Sequence, residues 1–122
     1  MKTTLLPLND PDLTQADLDA VMEVLQSTRI SMGEVTAAFE EEFATYLGRK
    51  HAVAVSSGVI ALLLSLRAIG VGPGDEVVTS AYSFRETTHA ILLCGAKPVF
   101  SDIDYWAGTL DPEKAKKVVT EK

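Results

Sequence analysis

Apolar residues recur at helical spacing twice in the first half of the chain. The first set predicts a helix over about residues 15–27 and consists of Leu18, Val21, Met22 and Leu25. The second set predicts a helix over about residues 34–47 and consists of Val35, Phe39, Phe43, Tyr46 and Leu47. Thr14 and Asp17 have the spacing of a capping box, and Gly48 fits the end of the second helix. Pro7 and Pro11 predict extended chain over residues 1–12.

A run of small and β-branched apolar residues at 52–55 leads into Ser56, Ser57 and Gly58, and a long apolar segment follows. This pattern predicts a buried strand at 51–56, a tight turn, and a helix over about residues 59–69. The helix is apolar nearly all round, so we expect it to be buried on several sides.

Strand and helix patterns alternate in the second half of the chain. A turn at 72–74 precedes a predicted strand at 76–79, a helix at about 85–94 and a strand at 98–101. Asp111 and Pro112 then begin a last helix. This alternation predicts an α/β fold with a helix-covered, mostly parallel sheet. Three strands with five helices are few for such a fold, so we expect the sheet to be incomplete.

Composition and charge exclude several classes of function. The 122 residues suit one domain, and a net charge of −6 argues against binding nucleic acid. The longest apolar run, residues 59–64, is too short for a membrane span, and the N-terminus has no signal-peptide pattern. The single cysteine, Cys94, lies in an apolar run and predicts a buried thiol in a reducing compartment. We therefore expect a cytoplasmic protein.

Three loops at the predicted carboxyl ends of the strands carry the candidate chemistry, because ligands of parallel sheets bind at that edge. The bend at 56–58 offers backbone N–H groups to a phosphate, although most such joints hold no ligand, and Ser56 is as well explained as a helix cap. Tyr82 or Phe84 offers a ring for stacking, although a core position is the common alternative. Asp102 and Asp104 suit turns and caps better than catalysis.

A phosphate site beside a ring suggests a phosphorylated aromatic cofactor, either a nucleotide or pyridoxal phosphate (PLP). Glycine-rich nucleotide loops of the G-x-G-x-x-G and G-x-x-x-x-G-K types are absent. His51 and His89 have no partners at ligand spacing, so we expect no metal site and assign His89 a structural place on its helix. Asp75 and Glu76 are expected to be turn and solvent residues.

Six short motifs follow one another over about residues 5–120. They are FEEEFA at 39–44 preceded by Gly33, AVAVSSG at 52–58, GPGDEV at 72–77, YSF at 82–84, GAKPVF at 95–100 and DID at 102–104. In this order and spacing they resemble the N-terminal part of the DegT/StrS-type nucleotide-sugar aminotransferases, which are PLP-dependent enzymes of fold type I.

The resemblance implies a role for each matching position. Ser57, Gly58 and Val59 would bind the PLP phosphate, and Phe84 would stack on the pyridine ring. It also implies a homo-oligomer that transfers an amino group, with L-glutamate as donor, to a nucleotide-linked keto-sugar. Such enzymes serve the biosynthesis of amino sugars for cell-surface polysaccharides or antibiotics.

Several positions depart from the family pattern. Val59 stands where a threonine is common, Arg85 and Glu86 replace small or apolar residues, and Ser80 replaces a frequent proline. The family's Schiff-base lysine and small domain lie beyond the matched part. We therefore expect residues 1–122 to be the N-terminal portion of the PLP-binding large domain, with no catalytic residue of its own and no activity alone.

Two alternatives stay open at this stage. Beside the aminotransferase portion, the chain could be a non-catalytic, self-associating or partner-binding module of that fold, or part of a PLP-dependent sugar dehydratase. The first alternative rests on apolar helix faces at 62–66 and 91–93 that an incomplete fold would leave bare.

Overall fold

In a computed structural model, residues 9–121 are described, and the chain divides into two compact units, Met1–Ala54 and Val55–Lys122. The elements follow in the order α1 (Gln15–Gln26), α2 (Glu34–Tyr46), α3 (Gly58–Ala68), β1 (Glu76–Ser80), α4 (Arg85–Leu93), β2 (Lys97–Ser101) and α5 (Pro112–Lys116). The extended segment predicted for 1–12 lies mostly outside the described residues, and residues 9–12 are neither helix nor strand.

The predicted capping box of α1 is confirmed. The Thr14 N–H donates to Asp17 Oδ2 at 2.7 Å, and the Asp17 N–H donates to Thr14 Oγ1 at 3.4 Å. The hydrogen bonds from the Thr14 side chain and backbone hold the pKa of the Asp17 carboxyl below its usual value. The start of α1 is therefore fixed by residues only three positions apart.

Helix α2 also forms where the apolar spacing predicts it, and it ends before Gly48, whose N–H bonds to the Thr45 carbonyl at 3.0 Å. Phe39 and Phe43 stack with ring centroids 5.6 Å apart. Even so, Ala44 is the only buried residue of α2. The apolar face of this helix is thus present but largely exposed.

The strand predicted at 51–56 is wrong, since residues 51–55 form no strand in the structure. An extended segment becomes a strand by pairing with another one, and the paired strands among residues 9–121 are β1 and β2. The Ala54 N–H instead donates to the Glu40 carboxylate at 2.7 Å. A side chain of α2 therefore takes a bond that a sheet neighbour would otherwise make.

The second unit is built on the parallel pair β1–β2, which α4 connects. The register runs from Glu76 opposite Lys97 to Ser80 opposite Ser101. Strand β1 begins at Glu76 as predicted, but the expectation that this side chain is solvated is wrong, because it is 13% exposed and its carboxylate lies 2.7 Å from Lys97 Nζ. Asp75 is the turn residue, accepting the Gly72 N–H at 2.7 Å.

A small core lies between α3, α4 and the sheet. Ile91, Cys94 and Ala96 are buried, and the residues packed against them are Leu63, Leu66, Val71 and Val77. Helix α3 was expected to be buried on several sides, but none of its residues is fully buried. Ile91, expected to be bare, is 2% exposed, because it faces this core.

The fold is α/β, as the alternating pattern predicts, with five helices and two parallel strands within residues 9–121. The last helix begins as expected, since Asp111 Oδ1 accepts the Glu113 N–H at 2.9 Å and Pro112 occupies the first turn. None of the helices in this part of the chain has the length and apolar character that crossing a membrane requires.

Candidate functional site

The candidate site lies in the second unit, at the carboxyl ends of β1 and β2. Ser80 and Ser101 are the last paired residues of the two strands. The loop at 81–84 leads from β1 into α4, and the turn at 102–111 follows β2. The bend before α3 belongs to the same unit.

The bend before α3 forms the start of that helix, which is capped by a side chain and exposed to solvent. Ser57 is extended, with φ of −167°, and its Oγ accepts the Ile60 N–H at 3.3 Å. The cap is therefore Ser57 and not Ser56. The N–H groups of Gly58 and Val59 have no acceptor within residues 9–121. They remain available to a ligand, as first-turn N–H groups are.

Gly58 faces open space, because a Cβ built on it meets no heavy atom within 4 Å. Ser56, Ser57 and Gly58 are all exposed. Two free N–H donors at the positive end of a helix favour an anion such as a phosphate. The donor set of this bend therefore fits the phosphate group of a cofactor, although Val59 supplies no hydroxyl to it.

The loop at 81–84 presents two aromatic residues at the start of α4. Phe84 precedes α4, has an extended backbone with ψ of 139°, and is 74% exposed. The loop is held at both ends, since the Tyr82 N–H donates to Ser80 Oγ at 2.9 Å and Ser83 Oγ lies 3.0 Å from Thr87 Oγ1. An exposed ring on a held loop is able to stack on a flat molecule.

Glu86 brings a negative charge two residues after Phe84. Its Oε1 accepts from Arg85 Nε at 2.9 Å, while Oε2 is buried and has no hydrogen-bond donor among the described residues. Burial acts to raise the pKa of Glu86, but the hydrogen bond and charge of Arg85 and the charge of His89 lower it below its usual value. The folded chain therefore favours the ionised form of this carboxyl.

Ser101 is the other residue of the described chain with a buried side-chain atom that lacks a partner. It is 7% exposed, and its Oγ makes no hydrogen bond to residues 9–121. Because Ser101 ends β2, this unpartnered hydroxyl lies at the same end of the sheet as the loops described above.

Asp102 and Asp104 belong to a turn, as expected. Asp104 Oδ1 accepts the N–H groups of Trp106 at 3.0 Å and Ala107 at 2.7 Å, and the Asp102 carbonyl accepts the Asp111 N–H at 3.1 Å. Tyr105 and Trp106, which are not among the residues predicted from the sequence, have exposed rings on this turn. Two adjacent aromatic residues between turn-forming aspartates were the available signal.

His89 lies on α4, where it was expected, and is exposed. Within residues 9–121, no three side chains of His, Cys, Asp or Glu are grouped so that they could hold a metal ion.

The fold belongs to a known class, the fold-type I PLP-dependent aminotransferases, because solved structures of that class superimpose on it. The chain belongs to the DegT/DnrJ/EryC1/StrS aminotransferase family, whose sequence model matches residues 11–122. This confirms the family assigned from the six motifs. Enzymes of this family depend on PLP, and structures of its members have been solved in PLP and PMP forms.

Individual relatives are similar over nearly the whole chain. The spore coat polysaccharide biosynthesis protein SpsC of Bacillus subtilis is 45% identical over 115 residues, which are 94% of this chain and 30% of that protein. UDP-4-amino-4-deoxy-L-arabinose–oxoglutarate aminotransferase of Shewanella sediminis is 38% identical over 122 residues, or 31% of its length. The chain thus spans about a third of the length of these relatives.

Among solved structures, the PLP form of Spr1654 from Streptococcus pneumoniae superimposes with a TM-score of 0.89 at 33% identity. The match covers 96% of this chain and 30% of that one. The described fold is therefore similar to one part of a fold-type I aminotransferase.

Proposed function

We propose that this chain is the N-terminal portion of the PLP-binding large domain of a sugar aminotransferase. In this proposal, L-glutamate donates the amino group and a nucleotide-linked keto-sugar accepts it. Family membership supports amino transfer to sugars. The Shewanella relative's name pairs a UDP-linked amino sugar with oxoglutarate, which is the keto acid that remains when glutamate gives up its amino group.

One observation carries the proposal: the capped, open start of α3, with two N–H groups that have no acceptor in the described chain. In the proposed site, the N–H groups of Gly58 and Val59 bind the cofactor phosphate. Ser57 holds the first turn of α3 in place, and Phe84 stacks on the cofactor ring. Bound PLP supplies an electron sink for the transfer of the amino group.

The packing of α3 against α4 supports a common site for the bend and Phe84. Arg67 Nη2, in the last turn of α3, donates to the Leu93 carbonyl at 3.1 Å in the last turn of α4. Helices joined at their last turns and packed on one core are expected to begin near each other. The bend precedes the first turn of α3, and Phe84 precedes that of α4.

The chain's lysines do not include the family's lysine motif, so we propose that residues 1–122 alone do not catalyse amino transfer. Where their contacts are described, these lysines make surface interactions. Lys97 pairs with Glu76, and Lys116 pairs with Glu113, both at 2.7 Å. Residues outside the 122 would then complete the site, in accord with relatives about three times as long.

The proposal is tested by titrating the chain with PLP and with pyridoxal, which lacks the phosphate, and measuring binding by calorimetry. PLP is expected to bind reversibly and more tightly than pyridoxal. Phe84→Ala should weaken PLP binding by about two- to tenfold, which is the contribution of one aromatic contact. The matched control is Tyr46→Ala, an 84% exposed aromatic residue in the other unit.

Equal binding of PLP by the Phe84→Ala and Tyr46→Ala variants would contradict the assigned site, as would the absence of any PLP binding. Borohydride treatment followed by mass spectrometry is expected to show only partial labelling scattered over exposed lysines, with no single lysine modified stoichiometrically. A trapped lysine adduct together with amino transfer from glutamate would refute the claim that the chain alone is inactive.

A second candidate function is self-association, which the exposed leucines of α3 and α4 favour. They are Leu62, Leu64, Leu92 and Leu93, each at least 41% exposed. Light scattering is expected to show a mass that rises with concentration. Leu64→Glu should lower this mass, whereas Ser65→Glu, at the neighbouring exposed position, should not. A monomer at high concentration would exclude this function.

A further inference from the structure

The turn after β2 carries two adjacent aromatic residues whose side chains are almost fully exposed. Tyr105 is 83% exposed and Trp106 is 90% exposed. Their ring centroids are 5.0 Å apart and the ring planes meet at 86°. Trp106 is also the only tryptophan in the sequence.

Hydrogen bonds fix the backbone that holds these rings. Besides accepting two N–H groups through its carboxylate, Asp104 donates its own N–H to the Thr109 carbonyl and accepts the Gly108 N–H, both at 2.9 Å. Ile103 and Leu110 close the base of the turn as an antiparallel bridge. An ordered turn lowers the conformational entropy that its rings would lose on binding a ligand.

The turn lies against the loop that carries Phe84. A Cβ added to Gly108 would stand 3.6 Å from Cε1 of Tyr82, so the Tyr82 ring borders the turn. Tyr82 is two residues before Phe84 in the same loop. The aromatic pair is thus next to the proposed cofactor site but is not part of it.

We infer that Trp106 and Tyr105 form a stacking corner for the nucleobase of the nucleotide-linked substrate, an inference that rests on the proposed function. With the two planes nearly perpendicular, a flat ring that stacks on one aromatic face directs its edge at the face of the other. Aromatic rings favour both offset stacking and edge-to-face contact. Base stacking on exposed aromatic residues is a general mode of nucleotide recognition.

The charge around the corner favours a neutral ring over a phosphate. Asp102 and Asp104 are exposed acidic residues on either side of the bridge residue Ile103. One ammonium lies among them, since Lys114 Nζ donates to the Ile103 carbonyl at 2.9 Å and lies 3.8 Å from Asp111 Oδ2. Three carboxylates around one ammonium leave a net negative charge, which disfavours an anion. Recognition at this corner therefore depends on the face of the base, and the phosphates lie elsewhere.

The test uses the fluorescence of Trp106, which is specific because the chain has no other tryptophan. The full chain is titrated separately with UDP, uridine and inorganic pyrophosphate. UDP and uridine are expected to quench the emission saturably, and pyrophosphate is expected to have no effect. Equal quenching by pyrophosphate would overturn the inference, because the site would then bind phosphate.

Substituting each residue in turn measures how much each ring contributes to UDP binding. Trp106→Ala should weaken UDP binding, measured by calorimetry, by about 5- to 100-fold, the range for the loss of one stacked base. Tyr105→Ala retains the fluorescent ring and should weaken binding by about two- to tenfold. The control Tyr46→Ala should leave UDP binding unchanged. If neither turn variant changes UDP affinity, the corner is not the site.

Two further outcomes would overturn the inference. One is an emission spectrum that shifts to the blue as protein concentration rises, without any response to UDP, since the pair would then be a contact between copies of the chain. The other is loss of both UDP and PLP binding in Trp106→Ala, which would make the turn a structural element. If the chain binds UDP but not PLP, the proposed function is contradicted and the stacking corner is still supported. If the chain binds PLP but not UDP, only the stacking corner is refuted.

Discussion

Gly95 follows α4 in a backbone conformation, and at a packed position, where adding a side-chain methyl group is expected to destabilise the fold. Its φ is +83°, and a Cβ added there would lie 3.0 Å from Cγ and 3.3 Å from Cδ of Pro73. The Gly95 N–H bonds to the Leu92 carbonyl at 2.9 Å, and the next N–H bonds to the Ile91 carbonyl at 3.3 Å. The substitution Gly95→Ala therefore strains the backbone and crowds a proline at the same time.

The magnitude follows from three contributions. The left-handed conformation costs a residue with a side chain about 1–2 kcal/mol. Crowding of a packed site costs about 1–3 kcal/mol, and the lower half applies because Pro73 is exposed and its turn can shift. Alanine also lowers the conformational entropy of the unfolded chain, which offsets about 0.4–1 kcal/mol of this destabilisation. The net destabilisation expected for Gly95→Ala is about 1–3.5 kcal/mol.

Gly70 provides a matched control at the end of α3. Its φ is +91°, and its N–H bonds to the Arg67 carbonyl at 3.0 Å, as in the turn at Gly95. A Cβ at Gly70, however, would meet no atom within 4 Å. Gly70→Ala should therefore cost only the backbone strain, about 1 kcal/mol after the same offset.

Urea unfolding followed by far-UV circular dichroism measures both variants on the full chain. The expected result is a lower midpoint for Gly95→Ala than for Gly70→Ala, with similar slopes. Equal midpoints for the two variants would refute the reasoning, because the contact with Pro73 is the difference between them.

Three further predictions concern the caps and the site. Ser57→Ala should lower the free energy of unfolding by about 1 kcal/mol in urea titrations, whereas Ser56→Ala should not change it. The Asp17 carboxyl has a lowered pKa in the folded chain. Its contribution to the free energy of unfolding is therefore present above its unfolded-state pKa and is lost as the pH falls through its folded-state pKa. Acid titration should therefore reduce helicity in the native chain, and less so in Asp17→Asn. Glu86→Ala should lower the urea midpoint at neutral pH, because the folded chain holds the pKa of this carboxyl below its usual value and so stabilises its ionised form. The difference should shrink as the pH falls through the folded-state pKa, and an unchanged midpoint at neutral pH would contradict this reasoning.

Helix boundaries were predictable because their causes are local. Thr14 and Asp17 satisfy each other across one turn, and Asp111 with Pro112 begins α5 in the same way. The strands predicted at 76–79 and 98–101 form at 76–80 and 97–101. They were predictable because a helical pattern separates two short segments of β-branched and aromatic residues, Val77, Val78 and Thr79 in the first and Val99 and Phe100 in the second. In each case the residues that decide the structure are close in sequence.

Features that depend on distant partners were not predictable. The segment at 51–55 has strand composition but no strand paired with it among residues 9–121. The burial of Ile91 and the exposure of Leu92 depend on which side of α4 faces the core. The ring geometry of Tyr105 and Trp106 follows from a turn, which has no periodic pattern to reveal it.

The pairing of β1 with β2 has a consequence for handling the chain. A sheet of two strands has an outer edge on each side, and no further strand covers either edge within residues 9–121. Such edges present N–H and C=O groups that can recruit a strand from another molecule. Dilute solutions and short storage times should therefore keep preparations clear, whereas concentrated ones are expected to become turbid as sheets join edge to edge.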